Sequence, residues 1–262
     1  MTQQLHALGV APLGTRFEHA FAAPKEDGTG VNLLGIIPGT GPTRRYIVLS
    51  AHYDHLGIRN GEIFNGADDN ASGTAAVLAI AGSIRRRPLS HSLIIALFDG
   101  EEEGLLGARA FVAAPPVPRA AIALNLNLDM VGHSERGELW AAGGSRYPAL
   151  LPVLEKLQAQ APVRLLLGHD RPDVHGQDDW TNESDQGAFH AAGIPFVYFG
   201  VEDHKDYHRP SDDPPTLTPA FYAGAVSTIL TALRRFDFSL SSRAGTSPSE
   251  PPRPPESTPH SP

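Results

Sequence analysis

The sequence predicts an α/β protein, a three-layer sandwich in which a central, mostly parallel mixed sheet is flanked by helices. Three observations predict it. Short apolar runs of strand length alternate with segments whose apolar residues recur at helical spacing. The chain has 262 residues, 41% hydrophobic and 19% charged, enough to bury a substantial core. Neither an internal repeat nor a domain linker interrupts the alternation before Ser241.

The elements follow in order. Residues 45–51 (RYIVLSA) form a short run with β-branched residues, read as a buried strand. Residues 71–87 are helical, with Val77, Ile80, Ala81 and Ile84 on one face. Pro88 stops that helix, and Arg85, Arg86 and Arg87 suit the negative end of its dipole. Residues 92–98 (SLIIALF) read as a second buried strand, and 104–112 as a short helix. Residues 121–129 alternate, placing Ile122, Leu124, Leu126 and Leu128 on one side of a strand. A helix over 148–161 and a strand over 194–201 come next. Thr218 caps a last helix that has Pro219 at its first position and runs to about Phe236.

Composition excludes several classes. No apolar run approaches the ~18 residues of a membrane span. The net charge of −8 argues against a nucleic-acid surface. The chain has no cysteine, which removes disulfides, a cysteine nucleophile and thiolate metal sites. The start, MTQQLHALGVAPLG, lacks the charged and apolar regions of a secretory signal, and the composition fits either side of a membrane. From Ser241 onward seven of 22 residues are Pro and six are Ser, so 241–262 are expected to be a disordered tail. The expected organisation is a lead-in over 1–30, one domain over 31–240, and that tail.

In open α/β sheets ligands gather beyond the carboxyl ends of the strands. There the sequence places His52-Tyr53-Asp54-His55, Asp99-Gly100-Glu101-Glu102-Glu103, Asp129, and a loop with His204, Tyr207 and His208. Asp68-Asp69-Asn70 opens the helix at 71–87. Taken singly, each has an ordinary explanation: a turn pair, a solvated helix start, an N-cap. Together they bring carboxylates and imidazoles to one rim. Buried carboxylates repel, at a cost of several kcal/mol per uncompensated charge, roughly. A divalent cation offsets that repulsion, and His, Asp and Glu ligands suit zinc, with manganese or cobalt as substitutes.

The order AHYDH (51–55), NGADDNASG (65–73), GEEEGLLGA (100–108), NLDM (127–130), SDQGAFHAAGIP (184–195) and DYHRPSD (206–212) closely resembles the co-catalytic di-zinc aminopeptidase family, metallopeptidase family 28. That family also holds glutamate carboxypeptidases, glutaminyl cyclases and the transferrin-receptor ectodomain. The resemblance runs from about Val31 to about Phe236. FEHAF near the start looks like the family's lead-in strand, and fuller members carry more chain before it.

The resemblance implies two zinc ions per chain. His52 and Asp129 would hold one, Glu102 and His208 the other, and Asp69 would bridge them, with a cis peptide after Asp69. Glu101 would be the general base. Asp54 would accept from the free ring N–H of His52, and Asp212 is a candidate for a similar supporting role. Tyr207 resembles a tyrosine that helps hold the developing oxyanion. The implied activity is removal of N-terminal residues from peptides by a hydroxide shared between the zinc ions. The alternatives are a di-metal carboxypeptidase or dipeptidase, a glutaminyl cyclase, and a non-catalytic peptide-binding module.

Residues 165–183 read as a polar loop over the cleft. Trp180 either lines the substrate pocket or anchors that loop. His169 and His175 are expected at the surface, His133 in a loop, and Asp185 and Phe189 as structural supports. Oligomeric state and side-chain specificity are not encoded in these motifs.

Overall fold

The computed structural model describes residues 1–24, 28–171 and 178–244. His175 and residues 245–262 of the expected tail lie outside the described residues. In chain order the strands are β1 (Ala11–Pro12), β2 (Glu18–Ala22), β3 (Thr29–Ile37), β4 (Tyr46–His52), β5 (Gly57–Arg59), β6 (Glu62–Phe64), β7 (Ser92–Phe98), β8 (Ile122–Leu128), β9 (Glu138–Ala142), β10 (Arg164–Leu167) and β11 (Phe196–Gly200). The helices are α1 (Thr2–Ala7), α2 (Gly73–Arg86), α3 (Leu106–Ala113), α4 (Leu151–Gln158), α5 (Gln186–Ala191) and α6 (Pro219–Ala244).

Nine strands form one mixed sheet in the order β1-β3-β7-β4-β8-β11-β9-β10, with β2 also paired to β3. The central strands β7, β4, β8 and β11 are parallel, and antiparallel pairs lie to either side. Strands β5 and β6 form a separate hairpin.

Alternating residues of the sheet feed two cores. On one face Ile47, Leu49, Ile95, Leu97, Leu126 and Leu128 pack under α1, α2, α4 and α6. On the other, Val48, Ile94, Ala96 and Phe98 pack against Phe111 of α3 and Phe189 of α5. Central parallel strands are covered on both faces, so they read as continuous apolar runs.

Three expectations need correction here. In β8 the alternation does not separate core from solvent, because all seven residues are buried. A bulge at the start of its pairing with β4 matches Ile47 to Leu124 after matching Tyr46 to Ile122, so Ile122 faces the opposite core from Leu124. The opposite register of β8 is polar: Asn125 donates to Ser50 Oγ, Ser50 to Asn127 Oδ1, and Asn127 to Ser184 and Gln186. Ser50, Ser184 and Gln186 supply hydrogen-bond partners to these buried amides, leaving Asn125 Oδ1 without one among the described residues. The last helix runs to Ala244, into the segment expected to be tail. Finally, 165–183 is not wholly loop, since its first residues belong to β10.

Candidate metal and active site

The carboxyl ends of β4, β7 and β8 deliver His52, the Glu101-Glu102 pair and Asp129 to one rim. Gly100 makes this possible after β7: its φ of +72° turns the chain sharply, so 101 and 102 leave the strand direction at once. Before α2 the chain makes a wide turn over Ala67–Ser72, with Asp69 at its kink and a cis Asp69–Asn70 peptide. Gly66 precedes it at φ +62°, where a Cβ would lie 2.1 Å from the Asp69 carbonyl oxygen. Asn70 ties this turn to β8 by donating to the Leu128 carbonyl and accepting from the amides of Gly73 and Met130.

The two aspartates of the turn part company. Asp68 is fully buried and points away from the cleft, accepting from Gly132 N and lying 3.1 Å from His204 Nε2. Asp69 faces the cleft. Its Oδ1 is 3.3 Å from His52 Nε2, and its Oδ2 is 3.1 Å from His208 Nε2. His52 Nε2 is also 3.3 Å from Asp129 Oδ1, and His208 Nε2 is 3.1 Å from Glu102 Oε2. The five side chains expected as ligands are thus brought together, and Asp69 spans two groups of them.

Ligand atoms of Glu101, His52 and Asp129 form one cluster within 4.8 Å of each other, and those of His55, Asp69 and Glu102 form a second. Sequence reasoning left His55 without a role, yet its Nδ1 is 2.7 Å from Glu102 Oε1. Its Nε2 is buried with no hydrogen-bond partner among the described residues. A His directly after Asp54 in a polar run carries no separate signal in the sequence.

These donors fit zinc. A tetrahedral ion with bonds of about 2.0–2.1 Å holds its ligands about 3.3 Å apart, close to the spacings around Asp69. The donor set is imidazole and carboxylate throughout, which zinc, manganese and cobalt accept.

The electrostatics match crowded acids. Burial, reinforced by Asp129, Asp185 and Glu102 and opposed by His52, pushes the Glu101 carboxyl up to about 10. A divalent cation held beside it would bring it down again. Burial favours the neutral form of Asp69 as well, but His208 and His52 overcome it and hold the carboxyl below its ordinary range. Burial opposes the charged form of His52, yet Asp129, Asp54 and Asp69 raise its pKa well above the ordinary value.

Supporting contacts differ in part from expectation. The His52 Nδ1 lies nearer the Asp54 carbonyl oxygen (3.2 Å) than its carboxylate (3.6 Å). The carboxylate accepts instead from the amides of Glu101 and Glu102, so Asp54 fixes the backbone of both glutamates. Asp212 does not support His208. It is fully buried and accepts from the amides of Asp68 and Asp69, fixing the backbone that aims the Asp69 carboxylate into the cleft. His133 does lie in a loop, its Nδ1 2.5 Å from the Thr216 carbonyl oxygen. Phe189 is core. Asp185 is wholly buried, and burial aided by Asp129 and Asp54, against His52, pushes its carboxyl up to about 8.

An open cleft of about 780 Å³ lies over the rim, lined by Asp69, Glu101, Glu102, Asp129, Tyr207 and His208 together with Trp180 and Tyr198. The Tyr207 ring stacks on His208 with centroids 3.9 Å apart. Tyr198 was legible only as part of an apolar strand, but its hydroxyl reaches the Asp129 carbonyl oxygen at 3.3 Å. His169 corrects the sequence expectation: it is 3% exposed rather than a surface residue, because two tryptophans enclose it.

Comparison with known proteins agrees with this geometry. The family model "Peptidase family M28" matches residues 32–233. A probable zinc metalloprotease of Leptosphaeria maculans is 23% identical over 245 residues, covering 82% of this chain and 54% of its own. The aminopeptidase YwaD of Bacillus subtilis is 28% identical over 198 residues, covering 70% of this chain and 40% of its own. The crystal structure of a zinc aminopeptidase from Bacillus subtilis superposes with a TM-score of 0.66 at 25% identity, over 79% of this chain and 50% of that one. A leucine aminopeptidase precursor from Bacteroides thetaiotaomicron shares the fold at TM-score 0.71 and 19% identity, over 89% and 86% of the two chains. The chain spans about half or less of the length of these two curated relatives. Among the described residues no helix is long and apolar enough to cross a membrane. With a match across most of the described sheet and helices, this chain belongs to peptidase family M28.

Proposed function

We propose that this protein is a zinc-dependent exopeptidase, an aminopeptidase that hydrolyses the N-terminal residue from peptides with the help of two zinc ions per chain. The observation that carries the proposal is the two-sided position of Asp69 between His52 and His208. His52 and Asp129 would hold one ion, Glu102 and His208 the other, and Asp69 would touch both. Manganese or cobalt would serve as substitutes. When bound, such ions supply positive charge that acidifies water and polarises a carbonyl.

The chain's own groups do the rest. Glu101 lies beside His52 and Asp129 at the rim, outside the proposed five-ligand set. It takes the proton of the attacking water and delivers it to the leaving amine. Tyr207 lines the cleft beside His208. Burial, with Asp69 and Asp203 adding, raises its pKa, so its hydroxyl stays protonated and donates to the oxygen that becomes negative at the scissile carbon. Asp54 keeps His52 and Glu101 in mutual register through its carbonyl and carboxylate. The cleft walls carry Asp178, Asp179, Glu183 and Asp203, and this acidic surround draws in a free α-ammonium. That attraction supports aminopeptidase action over carboxypeptidase action.

The test is hydrolysis of aminoacyl-p-nitroanilides by zinc-loaded protein, with loss on chelation and recovery on adding zinc. Hydrolysis restricted to N-blocked peptides would instead identify a carboxypeptidase. Cyclisation of N-terminal glutamine without hydrolysis would identify a glutaminyl cyclase. Tight peptide binding with neither reaction would leave only a binding module.

A further inference from the structure

The last turns of α6 leave one large ring uncovered. Phe236 is buried in the core, while Phe238, two residues on, is 74% exposed. Among the exposed large apolar side chains of the described residues it is the only aromatic. Asp237, between the two, accepts from the amides of Ser90 and His91 just before β7 begins. This part of α6 therefore lies at the end of the sheet opposite the acid rim.

Phe238 forms one wall of a groove of about 610 Å³ between α4 and α6. Pro152 and Val153 of α4 add apolar surface, and the only charged residues lining the groove are Lys156, Arg234 and Arg235. Arg234 donates to the Arg87 carbonyl oxygen and Arg235 to the side-chain oxygen of Gln160. Among the described residues, the arginine–carboxylate bridges lie elsewhere, at Arg146–Asp179 and Arg164–Glu138. A groove with three cations and no acid, in a chain of net charge −8, fits an occupant that is both apolar and acidic.

The sequence after α6 has that character. Residues 245–262, outside the described residues, place a proline block, Pro251-Pro252-Arg253-Pro254-Pro255, between Glu250 and Glu256. Proline-rich segments pack on apolar, aromatic-bearing grooves at low ordering cost, because their backbone is already restricted. At about 3.1 Å per residue, Glu250 to Glu256 spans about 19 Å when extended. The α6 side of the groove runs from Thr231 to Ser242, about 17 Å at 1.5 Å per residue. Gly245 is the first residue after the helix, and glycine is the residue that most readily turns a chain back at a helix end.

We propose that the groove between α4 and α6 holds this chain's own segment 250–256, with the prolines against Phe238 and Val153 and the two glutamates against Lys156, Arg234 and Arg235. Exposed ion pairs are individually weak, so the tether is decisive. A segment joined to its site by a short linker is present at an effective concentration of about 1 mM, at which a Kd of about 0.1 mM gives about nine-tenths occupancy. The docked segment covers Phe238 and so removes an apolar patch on which copies of the chain could associate. It acts away from the cleft and does not depend on the metal chemistry.

The absence of cysteine allows a cross-link to be placed cleanly in the full-length chain. Gln160→Cys combined with Arg253→Cys is treated with a short bismaleimide, and the rate of intramolecular cross-linking is followed by mass spectrometry. Glu250→Lys with Glu256→Lys in that background lowers the rate roughly five- to tenfold, the change expected when a mostly occupied site empties. Adding Lys156→Glu and Arg234→Glu to the same chain restores it, because the charges are then exchanged and not merely removed. Phe238→Ser also lowers the rate. Melting temperatures establish that each variant is folded before rates are compared.

A further arm needs no substitution beyond the cysteine pair: high salt slows the intramolecular reaction, since exposed charges are screened. A rate unmoved by salt and by charge reversal in the segment identifies a freely diffusing tail and overturns the proposal. Cross-links formed only between chains identify a second copy as the occupant and overturn it equally.

Discussion

Asp69 divides its carboxylate between two histidines that are 156 positions apart in the chain, Oδ1 at 3.3 Å from His52 Nε2 and Oδ2 at 3.1 Å from His208 Nε2. A single side chain thereby couples the end of β4 to the loop after β11. Replacing Asp69 by Ala is expected to lose metal from both clusters and to lower the melting temperature, since the remaining acids are left facing one another. Metal analysis by mass spectrometry together with calorimetry checks both effects.

Glu101 is expected to behave differently from its neighbour Glu102. On the proposed roles Glu101→Gln would remove the base and spare the ligands, so it should keep two zinc ions and lose about 10²- to 10⁴-fold in kcat. Glu102→Gln should lose metal. Turnover and zinc content measured on the same preparations separate the two roles, and a Glu101→Gln protein that keeps full turnover would refute the assignment of the base.

Asp212 never touches a proposed ligand atom, yet it accepts from the amides of Asp68 and Asp69. Asp212→Ala leaves two buried donors unpaired, an expected cost of about 1–3 kcal/mol. By loosening the aim of Asp69 it should also weaken zinc binding roughly 10- to 100-fold. Chemical denaturation and a competitive zinc titration report these separately.

Far from the cleft, Asp237 of α6 accepts from the amides of Ser90 and His91 and from the His91 ring. Burial alone would raise its pKa, but the His91 hydrogen bond and the two backbone amides hold it below the ordinary carboxylate value. A carboxyl depressed on folding stabilises the protein above its unfolded pKa, and that stability is lost as pH falls through the folded value. Asp237→Asn should therefore be less stable than wild type at neutral pH, with the gap closing below about pH 4. Melting temperatures across pH 2–7 test it, and a gap that widens in acid would contradict the account.

Much of this was legible in the sequence. The strands at 46–52, 92–98 and 122–128 announce themselves because buried parallel strands are continuous apolar runs, and the polar residues at their ends then stand out. Asp69, His52, Asp129, Glu102 and His208 carry a spacing pattern, and the comparisons give that pattern its family. Other features depend on tertiary contact. The bulge that turns Ile122 to the opposite core is a register event that no local periodicity records. His55 and His169 look like ordinary loop histidines until the fold sets one against Glu102 and the other between two indoles. Asp212 lies four residues after His208, which suggested a partner for that ring. The chain instead folds it back under the 67–72 turn.

The central claim is that the acids and imidazoles of this rim exist to hold two ions per chain. Titrating metal-free protein with zinc in an isothermal calorimeter, with zinc content counted after dialysis, measures this directly. The account predicts saturation at two zinc ions per chain in wild type and retention of both in Glu101→Gln. Saturation at one ion, or no uptake of zinc, manganese or cobalt by correctly folded protein, would contradict it.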